Sequence, residues 1–207
     1  AHAGDGAIEL DGWDDYVDLG EIEVAGDEVT FFGWFKADDW DCTDAPLIAK
    51  ATGTAKNDHA WMLGTDQESG DVRLRFQLRA DGVTRELVAD GGNCEAGEWV
   101  FAAAVYDGER MRLYKDGVEV GSRRHSGTIG DAGGQWEEDG EGEEDGADAL
   151  SEASAWIGGN PSGARQRPWD GCIDEVAICD RALTPQEIRA LWRARLAEAE
   201  IIAYGDE

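Results

Sequence analysis

Positive charge is what this sequence has least of. Its 207 residues carry 46 Asp and Glu against 18 Lys and Arg, a formal charge of −28. Only 4 of the 18 basic residues are Lys. Such a surface repels phosphate backbones and anionic bilayers, which argues against nucleic-acid and membrane roles. An acidic, Lys-poor surface fits a halophilic protein kept soluble in high salt, where counter-ions screen the self-repulsion. Two other readings stand beside it: several divalent-cation sites, or a solvated surface with no message about partners. The last is the default. Long apolar runs are also absent, so no segment is expected to insert into a bilayer as a helix.

Histidine is limited to His2, His59 and His125, and cysteine to Cys42, Cys94, Cys172 and Cys179. With no C-x-x-C spacing and little His, a zinc centre lacks ligands. An even cysteine count fits two disulfides in an oxidising compartment. Three connectivities are open. Cys42 with Cys94 is favoured, because both lie in loop-like contexts, "DWDCTDAP" and "DGGNCEAG". No G-x-S-x-G elbow is present. His59, in "NDHAW", is the only histidine near a strand start and reads as a loop residue. The chain opens "AHA" with no Met, which suggests an A-x-A cleavage stub or the edge of an excised piece, and so a secreted or cell-surface protein.

What is present is a series of short β-rich runs between Gly and Asp turns: "GAIELDG" (6–12), "YVDLGEIEV" (16–24), "EVTFFGWFKA" (28–37), "APLIAK" (45–50), "AWMLGTD" (60–66), "VRLRFQLRA" (72–80), "TRELVA" (84–89), "EWVFAAAVYD" (98–107), "RMRLYKDGVEVGS" (110–122), "SAWIGGN" (154–160) and "CIDEVAICD" (172–180). Runs of this length and spacing predict an antiparallel sandwich or barrel. In "VRLRFQLRA", Val72, Leu74, Phe76 and Leu78 face one way and Arg73, Arg75, Gln77 and Arg79 the other. Asp-Gly pairs at 81–82, 107–108 and 116–117 mark hairpins. The segment 131–148 is acidic, Gly-rich and almost free of aliphatics, so it reads as a long loop insertion. Near the end, Thr184, Pro185 and Glu187 form a helix start of the capping-box kind, with Ile188, Leu191, Trp192 and Leu196 at helical spacing. The length suits one sizeable core, and neither a linker nor a repeat is visible. The expectation is therefore a single domain over 1–207 with its core in 6–196.

Four pieces in order, "AIELDGWDDYVDLG", "VTFFGWFKA", "EWVFAAAVYDGERMRLYKDGVEV" and "WDGCIDEVAICDRALTPQEIRAL", resemble the laminin G-like, concanavalin A-like jelly-roll family over roughly residues 6–196. Cys172, Cys179 and the acidic 131–148 segment depart from its pattern. The resemblance implies an all-β fold, two antiparallel sheets packed as a jelly-roll sandwich with a short C-terminal helix. The family includes carbohydrate-binding modules, adhesion domains and domains attached to hydrolases. More distant relatives are glucanases and polysaccharide lyases, so the fold alone does not settle function.

The catalytic patterns of those relatives are not met. A glucanase of this fold alternates its carboxylates on one strand, as E-x-D-x-(x)-E, so that acid and nucleophile face the sugar together. Asp174 and Glu175 are adjacent, and in a regular strand they point to opposite faces. Glu21 and Glu23 share a face but lack a third acid in register. Of a lyase's three strand motifs, "TRELV" and "YKDGVEV" are echoes and the Gln-x-His motif is missing. The resemblance implies a structural calcium held by Asp174, with Asp11 and Asp27 as weaker candidates and Gly12 and Gly26 admitting backbone carbonyls. The competing reading has Asp174 accepting backbone amides at a strand end.

Sugars stack on exposed aromatic faces and hydrogen-bond to amides and carboxylates. Of the nine Trp, strand position assigns Trp34, Trp99 and Trp156 to the core. Trp61 flanks a strand, the family resemblance implies that Trp169 packs under the last strand, and Trp192 lies on the apolar face of the helix. Trp13, Trp40 and Trp136 lie in acidic loops and are the candidate sugar platform, with Asn57, Asp58, Asn160 and Arg165 as polar partners. For each of them an ordinary loop anchor is the competing reading. The expected role is a non-catalytic module that recognises a glycan or a glycosylated surface, with a structural calcium, as part of a larger multidomain protein. The alternatives are an adhesion domain that binds protein partners and a glycan-degrading enzyme of the same fold.

Overall fold

A computed structural model describes residues 6–40, 45–68, 70–130, 150–160 and 168–204. The strands in chain order are β1 (Ile8–Asp11), β2 (Val17–Asp18), β3 (Val29–Ala37), β4 (Pro46–Ala51), β5 (His59–Glu68), β6 (Asp71–Ala80), β7 (Val83–Val88), β8 (Val100–Tyr106), β9 (Arg110–Lys115), β10 (Val118–Arg124), β11 (Ala155–Ile157) and β12 (Asp170–Cys179). A helix, α1 (Pro185–Tyr204), follows β12. The strands form two six-stranded antiparallel sheets, ordered β1-β12-β3-β8-β9-β10 and β2-β11-β4-β5-β6-β7. This is the all-β jelly-roll sandwich that the strand spacing and the family resemblance predict.

The alternation read in "VRLRFQLRA" holds. Val72, Leu74, Phe76 and Leu78 are buried between the sheets, where Phe31 of β3 stacks on Trp61 of β5 and meets the edge of Phe76. Burying one such aromatic stabilises the fold by about 1.5–3 kcal/mol. The Asp-Gly hairpins hold as well. Asp81–Gly82 and Asp116–Gly117 both have left-handed backbone at the two turn residues, the primed-turn geometry that matches strand twist. "YVDLGEIEV" departs from expectation, because only Val17 and Asp18 pair as strand.

Strand β12 departs from regular alternation. Its partners on β3 step from Trp34 to Phe32 while β12 itself steps from Asp174 to Ala177, so one residue is extra. Glu175 takes a left-handed φ of 51° at this bulge. The extra residue resets the phase of the strand. Ile173, Val176 and Ile178 all pack toward the core, which a period of two would forbid. Gly33 opposite leaves room for Val176. The Asp174 carboxylate accepts the Glu175 N–H at 2.8 Å.

The outer face of the first sheet carries a second apolar layer. Trp34, Phe101, Ala103, Val105 and Tyr114 are buried there with Leu183 and Ile188, and Trp192 packs alongside. Trp34 is therefore core beneath the helix, not core between the sheets. The capping box forms: Thr184 N–H and Oγ donate to Glu187 Oε2 at 2.8 Å, and the Glu187 N–H donates back to Thr184 Oγ. Arg181 adds a two-pronged bond to the same carboxylate.

Cys94, Cys172 and Cys179 are free thiols. Cys172 and Cys179 lie seven residues apart on one strand, on the order of 20 Å, far beyond the roughly 7 Å a disulfide can span. Cys42 lies outside the described residues. Burial pushes the Cys94 thiol up to about 12, so it behaves as an apolar core residue.

The Arg181 bond, then the Thr184 bonds, lower the Glu187 carboxyl from its ordinary 4.5 to about 2. A lowered folded-state value gives stability that is present above 4.5 and fades as pH falls toward 2. Urea midpoints measured across that window should drop, and Glu187→Gln should flatten part of the drop. Gly171 (φ 122°) has the Lys36 carbonyl where a Cβ would stand. Gly171→Ala should cost about 2–4 kcal/mol in urea unfolding.

Candidate functional site

The rim where β1, β12 and the end of β3 meet is built around carboxylates. Asp11 pairs across the strands with Asp170. Gly12 then turns with a φ of 73°, donating its N–H to the Trp169 carbonyl, and a Cβ there would strike the Asp170 side chain. The next residues wind on their own acids. Asp11 Oδ1 accepts the N–H of Trp13 at 2.9 Å and that of Asp14 at 3.4 Å, while Asp15 Oδ2 accepts the Asp11 N–H. This turn lifts Trp13 off the protein, leaving it 82% exposed. Beside it opens a cleft of about 360 Å³ walled by Asp11, Trp13, Asp39, Trp40, Trp169 and Asp170.

The three indoles of this cleft do different things. Trp169 is buried and packs edge-on against Phe35. Trp40 is half-buried and stands perpendicular to Trp169 at 5.9 Å. It is thus the floor of the cleft and part of the core, not a free stacking surface. The Nε1 atoms of Trp40 and Trp169 are buried and find no acceptor among the described residues. Trp13 alone offers an open ring face.

The three aspartates expected at a calcium do not meet. Asp174 lies four residues along β12 from Asp170, about 13 Å away at strand rise. Asp27 precedes the opposite end of β3 and accepts a bond from Thr128 Oγ. Asp11 instead gathers with Asp14 and Asp15, one carboxylate oxygen of each lying within 4.8 Å of the others.

The expected polar partners sit elsewhere. Asp58 accepts the Ala55 N–H at 2.8 Å in a 3-10 turn that also holds Asn57. Asn160 is fully buried and donates to the Gly53 carbonyl. None of the three lines the cleft. Trp136, Arg165 and the acidic 131–148 segment lie outside the described residues.

Sequence reasoning missed the outer face of the second sheet. Trp156 points outward, because its neighbours Ala155 and Ile157 point into the core, and it stacks on Tyr16 at 3.7 Å and 6°. Across the same face Arg75 pairs with Asp66 at 3.1 Å, and Gln77 donates to Glu86 at 2.6 Å. Arg75 and Gln77 are nearly buried. The alternation of β6 placed them there; nothing in the local sequence signalled that they would be covered.

Trp40→Ala should lower stability by about 2–3 kcal/mol, somewhat less than a fully buried aromatic. Trp13→Ala should stay within roughly 0.5 kcal/mol of the parent. Denaturant unfolding separates the two.

The comparisons with known proteins agree with this architecture. The mouse pappalysin-1 is 30% identical over 108 residues, which make up 48% of this chain and 7% of that protein. The human pappalysin-1 is 27% identical over 107 residues, again 7% of its length. Among solved structures, a pentraxin from Limulus polyphemus matches with a TM-score of 0.63 at 16% identity, over 90% of this chain and 81% of that one. Domain 4 of an extracellular arabinanase from Geobacillus stearothermophilus, in complex with arabinotriose, matches with a TM-score of 0.61 at 18% identity, over 92% and 79%. A sialidase CBM40 from Ruminococcus gnavus, bound to α2,3-sialyllactose, matches with a TM-score of 0.60 at 16% identity, over 89% and 95%. At these identities the likeness is one of fold. The laminin G-type family model matches residues 11–150 and 137–189, and the chain belongs to the concanavalin A-like lectin/glucanase superfamily.

Proposed function

We propose that this chain is a non-catalytic carbohydrate-recognition module, acting as one domain of a larger secreted or surface protein. The observation that carries the reading is Trp13. An indole 82% exposed beside a cleft walled by Asp11, Asp39 and Asp170 offers a stacking face next to acceptors for sugar hydroxyls. An exposed Trp held up by a turn that uses three hydrogen bonds to two carboxylates serves no packing purpose. Two proteins of similar fold are recorded with sugars bound, arabinotriose on one and sialyllactose on the other. The extracellular setting of the first and the small share of the pappalysins that is matched support placement within a larger, exported protein.

Calcium belongs to this reading at Asp11, Asp14 and Asp15. The donor set is all oxygen and exposed, which leaves positions for water and suits a hard cation that takes six to eight oxygens. These residues hold the turn that presents Trp13, so a bound cation would fix that turn.

Isothermal titration against neutral oligosaccharides checks the module. A ligand should bind, and Trp13→Ala should weaken it at least about tenfold while leaving the melting temperature unchanged. Silence across a broad glycan array would favour the adhesion reading, and turnover on a polysaccharide panel would overturn the non-catalytic one. Calcium should raise the melting temperature over that with chelator, and Asp14→Asn should remove most of the increment. An identical melt under both conditions would dispose of the cation.

A further inference from the structure

The basic residues of this chain are not spread evenly. Residues 71–125 hold 9 of the 18, with only 10 of the 46 acids, so that stretch is nearly neutral inside a chain of −28. Three of its arginines converge. A cleft of about 540 Å³ opens between the edge strands of the two sheets, walled by Asp81, Arg85, Glu109, Arg110, Arg124 and His125. Its frame is tied from both sides. Arg123 donates to the Glu86 carbonyl at 2.7 Å across the two edges, the His125 N–H bonds to the Glu109 carbonyl, and the Tyr106 hydroxyl reaches the Gly127 carbonyl at 2.6 Å.

Arg110 and Arg124 are direct cross-strand partners on β9 and β10. Like charges directly opposite each other destabilise a strand pair. The arrangement is the more telling because acids outnumber basic residues so heavily in this chain. Neither Arg85 nor Arg124 forms an ion pair within 4.0 Å among the described residues, and the Arg110 side chain makes only a long contact to Ser122 Oγ at 3.4 Å. Of the two acids in the wall, Asp81 spends Oδ1 on the Thr128 N–H. His125 is 94% buried by its 6% exposure, and its Nε2 has no partner among the described residues. Its ring bonds to the Leu78 carbonyl, and burial, the largest influence, holds it below the ordinary imidazole value, which favours the neutral ring. The cleft therefore gathers three guanidinium forks against two carboxylates, beside a buried imidazole whose Nε2 has no partner among the described residues.

We propose that this cleft binds the oxyanion of an acidic saccharide, a carboxylate or a sulfate on a sugar ring, against Arg85, Arg110 and Arg124. The proposal rests on the glycan reading above and adds its ligand class and a second site. The surrounding negative charge does not forbid such a ligand. Beyond about 10 Å it is screened at ordinary ionic strength, whereas direct guanidinium bonds are not.

The test is titration calorimetry with three probes: an oligouronate, a sulfated oligosaccharide, and a neutral oligosaccharide of the same length. The expected result is that one or both acidic probes bind at least about tenfold tighter than the neutral one. Arg124→Gln and, separately, Arg85→Gln should erase that preference. Both side chains are exposed, so neither variant should lower the melting temperature, and Arg124→Gln, which relieves the Arg110–Arg124 repulsion, should leave it equal or slightly higher. The arm that binds, uronate or sulfate, names the oxyanion. Equal affinity for acidic and neutral probes would overturn the anion cleft while leaving the glycan reading intact. Acidic binding untouched by both Arg variants would also overturn it. Failure of every saccharide to bind would overturn the glycan reading and this inference with it.

Discussion

The insertion of β12 between β1 and β3 is the interaction on which the rest of the structure depends. It joins strands from opposite ends of the fold, since β1 has no other strand partner among the described residues and its register runs Ile8 to Ile173 and Asp11 to Asp170. The strand can do this only because two backbone features allow it. Gly171 admits the Lys36 carbonyl where a side chain would stand, and the bulge at Glu175 brings Ile173, Val176 and Ile178 onto the same core. Each is local; the bulge lies further along the strand, and Gly171 lies next to the rim. Asp11 meets Asp170 there, Gly12 turns over the Asp170 side chain, and Trp13 is carried outward. The candidate glycan site is thus a consequence of how the sandwich closes.

That dependence explains what was legible in the sequence. Features encoded within a few residues read correctly: the Asp-Gly hairpins, the alternation of "VRLRFQLRA", and the capping box at Thr184. Features that need a second segment did not. "CIDEVAICD" shows two adjacent acids, but the residue that makes room for its bulge is Gly33, on another strand. Trp156 reads as a core residue from its strand run, yet the apolar neighbours on both sides claim the inward positions. Trp40 reads as a loop indole, but Trp169, over a hundred residues away, draws it into the floor of the cleft. The calcium aspartates named by family likeness fall at separate places, whereas Asp14 and Asp15, close to Asp11 in sequence, gather around it.

Charge follows the same logic. A formal −28 describes the chain as a whole and says little about any one site, because screening confines electrostatics to about a Debye length. The pairing of Arg110 with Arg124 cannot be seen in the linear sequence; it follows from a hairpin register with a shift between Glu119 and Gly121. Without that shift the two side chains would not be direct partners. The bulge on β10 and the bulge on β12 act alike in one respect: each resets which side chains of its strand face which way.

The two clefts are far enough apart to be separated by experiment. The rim cleft includes Ala37, at the end of β3, while Tyr106, opposite Val29 at the start of β3, holds the frame of the arginine cleft. Eight strand steps separate Val29 from Ala37, about 26 Å. Substitutions that distant, with no shared partner, combine additively as a rule. Trp13 and Arg124 therefore report on different free energies, and a ligand that loses more in the double variant than in the two single variants combined would have to bridge both ends of the sandwich.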